Sequence, residues 1–93
     1  MGVTFEWDEG KRQANIRKHA IDFVDVPEIF DGAILTIEDT RFDYGEARFV
    51  TIGLLRGRAV VVVHTERGGK MRVISARKAT RYETKAYFGR IAD

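Results

Sequence analysis

The sequence contains no cysteine, one proline, one tryptophan and two histidines in 93 residues. Without cysteine there is no disulfide, no thiolate zinc site and no cysteine nucleophile, which suits a reducing cytoplasm. The longest apolar run, Ala59 to Val63, has five residues, against about 20 for a membrane-spanning helix. The opening MGVTFEWDEG lacks the basic-then-apolar order of an export signal. A cytoplasmic chain, neither inserted into a membrane nor exported, is therefore expected. No repeat, low-complexity tract or linker divides the sequence, so residues 1–93 are expected to form one domain with a modest core. The histidines stand 45 positions apart and no HxH, HExxH or DxD grouping occurs, so neither a metal site nor another cofactor is expected. The GGK at 68–70 lacks the spacing and the following helix of a nucleotide phosphate loop.

What is present is charge, unevenly distributed. Residues 1–46 carry five Lys and Arg against eleven Asp and Glu, a net −6, whereas residues 47–93 carry eleven against three, a net +8. Arginine outnumbers lysine in the basic half, and its planar fork of donors fits phosphate, so a polyanion partner is one reading. Mutual neutralisation of the two halves within the fold is the other.

The hydrophobic pattern places these charges on elements. Phe5 to Trp7 reads as a short edge strand, and Asp8 as the N-cap of a helix over Glu9 to Lys18, with Arg17, Lys18 and His19 where the helix dipole favours cations. A second short helix runs from Ile21 to Phe30, or from as late as Asp25 because Pro27 belongs in a first turn. Ile34 to Glu38, Ala47 to Leu55, Ala59 to Thr65 and Met71 to Ala76 are strand-like, separated by DYGE, RG and RGGK, an antiparallel meander. Thr80 and Glu83 form a capping box opening a last helix to about Ile91. The expected fold is α+β, ordered β-α-α-β-β-β-β-α, with helices mainly on one face of an antiparallel sheet and a ligand face on the other. Alternation puts Val73, Ser75 and Arg77 on one face of the last strand and Arg72, Ile74, Ala76 and Lys78 on the other, with either set able to meet the core. Twist or a bulge near the strand end would present both Arg77 and Lys78.

Trp7-Asp8, Lys18-His19, DYGE at 43–46 with Arg48, and ISARKA at 74–79 followed by Glu83 and Tyr87 occur in an order that resembles the BrnT family of type II toxins. The resemblance covers about residues 5 to 88. It departs at Ala20, where the family usually has glycine, and at Pro27. It implies a compact RelE-like ribonuclease, an RNA substrate, and a cognate BrnA-like antitoxin carrying a DNA-binding domain in a hetero-oligomer with the toxin. It also implies metal-independent cleavage, in which the RNA 2′-hydroxyl attacks the adjacent phosphorus and translation and growth are inhibited.

That chemistry needs cations for the developing phosphorane charge and a carrier for protons. Arg77 and Lys78 are the expected phosphate-holding pair. His64, which titrates near neutrality, is the candidate acid or base, with a structural role as the alternative. Arg67 in the neighbouring hairpin completes the catalytic candidates, and Arg48, Lys70, Arg72 and Ser75 are the expected RNA contacts. Lys18-His19 is a second proton-transfer candidate, though capping and the helix dipole also account for it. A non-catalytic RNA-binding module, or a toxin-derived regulator acting with a DNA-binding antitoxin, stays open because phosphate affinity needs only cations.

Overall fold

Asp8 sets the start of the first helix by accepting a hydrogen bond from the Lys11 amide at 3.0 Å, and α1 runs over Glu9–His19. The computed structural model describes residues 3–91. Helix α1 ends because Ala20 turns left-handed, at φ 58°, its amide donating to the Ile16 carbonyl at 2.8 Å. The expected second helix is split. A 3₁₀ turn covers Phe23–Asp25 and α2 is confined to Val26–Phe30. Pro27 in its first turn explains the limit, since proline lacks an N–H and its ring crowds the carbonyl four residues earlier.

Five strands follow the expected pattern within two residues: β1 Phe5–Glu6, β2 Leu35–Asp39, β3 Arg48–Leu55, β4 Arg58–Arg67 and β5 Lys70–Lys78. They form one sheet in the order β1-β5-β4-β3-β2. Strands β2 to β5 are the antiparallel meander, but β1 lies parallel to β5, with Phe5 opposite Met71, so the sheet is mixed. Arg56-Gly57 and Gly68-Gly69 make the two tight connections, both residues of each having positive φ, the type I′ geometry whose twist matches that of the strands.

The 3₁₀ turn and α2 pack Phe23, Val26 and Ile29, with Ile21, against Val60, Val62, Val73 and Ala76. Gly53 allows the approach: a methyl group there would come within 2.6 Å of Ile29 Cγ2. Buried Asn15 ties α1 to β5, donating to the Ile21 and Ala76 carbonyls and accepting from the Ala76 amide at 2.8–3.1 Å. The last helix, α3, runs over Arg81–Ile91. Its capping box is formed: the Glu83 amide donates to Thr80 Oγ1 and the Thr80 amide to Glu83 Oε1. Tyr87, 1 % exposed, donates from its hydroxyl to the Ala33 carbonyl at 2.7 Å, fastening α3 to the approach to β2.

The two faces of β5 are decided by a bulge. Val63 pairs with Ser75 but His64 with Val73, leaving Ile74 as the extra residue. Val73 and Ala76 therefore both face the core, and Arg72, Ser75 and Arg77 share the opposite face.

Candidate active site

Register lines up three rows across the face turned away from the main core. They are Leu35, Ile52, Val61, Arg77; then Ile37, Val50, Val63, Ser75; then Asp39, Arg48, Thr65, Arg72. An apolar middle is thus flanked by Arg77 on one side and by Arg48 and Arg72 on the other. A cleft of about 440 Å³ opens over this floor, with Arg77 and Glu83 at one wall and Asp39 and Arg41 at another.

Arg77 is held in a fixed pose. Its Nη1 and Nη2 donate to the two oxygens of Glu83, both at 2.9 Å, and Nη1 also reaches the Lys78 carbonyl at 3.2 Å. Nε–H and the second Nη2–H have no partner among the described residues. The hydrogen bonds from Arg77 hold the Glu83 carboxyl down to about 2, so Glu83 is ionised throughout the neutral range. The capping box that starts α3 thereby also aims the arginine fork.

Arg48 is positioned differently. Its guanidinium carbon sits 4.2 Å from the centre of the Tyr44 ring, and its Nε, 3.7 Å from Glu46 Oε2, is buried with no hydrogen-bond partner. Arg67 donates to Glu46 Oε1 at 3.1 and 3.2 Å, so Glu46 serves both arginines. Arg72 reaches Glu6 on β1 at 3.3 Å. Lys70, exposed at the β4–β5 turn, has no carboxylate within 4.0 Å among the described residues. Arg41 grips Asp39 with two hydrogen bonds and holds its carboxyl well below the usual range.

Two expected members lie elsewhere. Lys78 pairs with Val60, whose side chain is in the main core, and lines a separate cleft with Arg58, Thr84 and Phe88. The bulge turns Arg77 outward without bringing Lys78 beside it. His64 lies on the helix-covered face, between Phe30 and Phe49, with Nε2 2.7 Å from Thr51 Oγ1. Burial pushes it down to about 4, so it is neutral at pH 7. Register thus places His64 and Arg77 on opposite faces of the sheet. Lys18 and His19 line a notch that Ser75 also borders.

The sequence had no direct sign of the residues that position the cations. Tyr44 and Glu46 were visible only as part of the DYGE turn, and Glu83 only as a cap. Among the described residues no three His, Asp or Glu side chains gather as metal ligands. A family model described as "Ribonuclease toxin, BrnT, of type II toxin-antitoxin system" matches residues 7–83. A search of curated proteins finds no match.

Proposed function

The chain belongs to the BrnT family of ribonuclease toxins of type II toxin–antitoxin systems, and from that premise we propose that the open sheet face is its RNA-cleaving site. The observation that carries this reading is Arg77: a guanidinium clamped by Glu83 at the wall of a cleft with an apolar floor, with two N–H donors that have no partner among the described residues. In the proposed reaction the RNA 2′-oxygen bonds to the adjacent phosphorus as the bond to the 5′-oxygen breaks. The 2′ proton passes to water and the leaving oxygen takes one from water, giving a 2′,3′-cyclic phosphate and a 5′-hydroxyl end.

Arg77 holds the scissile phosphate and offsets the charge that grows on its oxygens, the kind of fixed electrostatic contribution that dominates many such reactions. Arg48 and Arg72, at the other side of the floor, hold a neighbouring phosphate, and Ser75 donates from between them. Arg67 and Lys70 extend the basic track along the β4–β5 turn. No step passes through a metal ion or through buried His64. The family has a protein antitoxin, which we take to be BrnA-like, with a DNA-binding domain, covering this face in a cytoplasmic hetero-oligomer. A second reading, RNA binding without cleavage, draws on the absence of a histidine beside Arg77 in the described cleft.

Antitoxin-free protein incubated with end-labelled RNA in EDTA tests the proposal. Fragments ending in 2′,3′-cyclic phosphate are expected, with the rate falling about 100-fold or more in Arg77→Gln and far less in Lys78→Gln, provided melting curves show both variants folded. RNA bound but left intact favours the non-catalytic reading, and equal losses in the two variants overturn the choice of face.

A further inference from the structure

On the open face Arg48, Arg72 and Arg77 each have a carboxylate neighbour, but around the edge of β5 the cations do not. Lys11, Lys18 and His19 on α1 line a notch of about 200 Å³, closed on the sheet side by Ile74 and Ser75. Among the described residues none of the three lies within 4.0 Å of a carboxylate. The helix dipole accounts for Lys18 and His19 in the last turn. It does not account for Lys11 in the first turns, brought to the same side of α1 by the seven-residue spacing from Lys18.

Both walls are fixed. Asn15, between the two lysines, is buried and makes three hydrogen bonds that lock α1 to β5. Strand β1 pairs only with Met71 and Arg72, and Asn15 of α1 takes up the β5 edge at Ala76, so the notch lies between these two, where the Ile74 bulge re-aims the chain. Ser75 belongs to both places. Its register with Val63 puts it in the middle row of the open face, and it also borders the notch.

We propose that the notch binds a backbone phosphate of the same RNA strand, next along from the one at Arg77, as the strand passes over the β5 edge. This rests on the open face being the RNA site. Lysine ammonium groups on flexible stems suit phosphate as point charges and impose no base preference. Continuity through Ser75 joins the notch to the face proposed to hold RNA, and an acidic segment of the antitoxin covering that same face is the competing occupant that a polyglutamate titration separates.

The test is fluorescence anisotropy with a single-stranded 2′-O-methyl oligonucleotide of about 12 nucleotides, long enough to span both places and without the 2′-hydroxyl that cleavage needs, over a series of KCl concentrations. Lys11→Gln/Lys18→Gln is expected to weaken binding about tenfold and to lower the salt slope by about 1. A charge-matched control, Arg17→Gln/Lys85→Gln, is expected to change affinity less than about twofold. If the two double variants behave alike while the wild type binds and Arg77→Gln weakens it, the notch is overturned and the open face stands. If the wild type binds no oligonucleotide, both fall. Retained RNA affinity with lost binding to polyglutamate overturns the RNA assignment in favour of an acidic protein. Either single lysine variant gives the same reading at about half the size should the double variant be unstable.

Discussion

At 5 % exposure, with Phe30 edge-on and Phe49 stacked on its ring, His64 has little access to solvent. Burial pushes it down to about 4, from near 6.5 in an unfolded chain. A histidine depressed in this way binds its proton more tightly unfolded than folded, so its effect on stability is absent above about pH 6.5 and grows as pH falls towards 4. Glu83, Asp22 and Asp39 are lowered instead, and their contributions are present above the ordinary carboxylate range. They are lost as pH falls through that range towards the folded values, so most of that loss lies below about pH 4.5. Urea unfolding is therefore expected to show the wild type losing roughly 2 kcal/mol between pH 7 and 4.5. His64→Gln, which keeps a partner for Thr51, should stay nearly level over that range. A flat wild-type profile would show that the ring is hydrated and open to the proton role that the sequence gives it. Nothing in the residues around position 64 shows which way the side chain points, because register depends on pairing with β3 and β5.

Where an element begins and ends was mostly legible, because caps and turns are local. Asp8, Thr80 with Glu83, and the glycines at 57, 68 and 69 each act within a few residues, and the structure uses them as expected. The parallel pairing of β1 with β5 was not legible, since it joins residues such as Glu6 and Arg72, 66 positions apart. The Ile74 bulge was hidden for a related reason: strict alternation assumes an unbroken ladder. Ala20 is a local feature whose meaning only the backbone reveals. It occupies the left-handed region at φ 58°, where a Cβ costs roughly 1–2 kcal/mol and glycine is free of strain. Ala20→Gly is accordingly expected to raise the unfolding free energy by about 0.5–1 kcal/mol, after the entropy glycine adds to the unfolded chain. Equilibrium urea curves decide it. A loss of stability would mean that the Ala20 methyl group makes contacts worth more than the strain it imposes.

Across the whole molecule the opposed charges of the two halves do meet. Arg72 reaches Glu6, Arg48 and Arg67 approach Glu46, and Arg56 reaches Asp25 and Glu28. The fold therefore uses part of the +8 internally. These pairs are partly exposed, and such pairs contribute about 0–1 kcal/mol each and weaken in salt. A core of Phe23, Val26, Ile29 and the valines of β4 and β5 has no such dependence. On the proposed site, where Arg77, Arg48 and Arg72 hold RNA, binding is expected to depend on charge throughout, because each phosphate contact with a single strand contributes about −0.7 to the slope of log affinity against log salt. Raising KCl from about 0.05 to 0.5 M should thus change the unfolding free energy by less than about 1 kcal/mol, while RNA affinity falls roughly 100-fold for three phosphate contacts. Parallel urea titrations and RNA-binding titrations separate the two effects. Equal sensitivity to salt would mean that the ion pairs hold the fold together and that the basic half serves chiefly to neutralise the acidic one. Stability that holds while binding collapses would mean that the carboxylates orient the arginines without using up their capacity for phosphate.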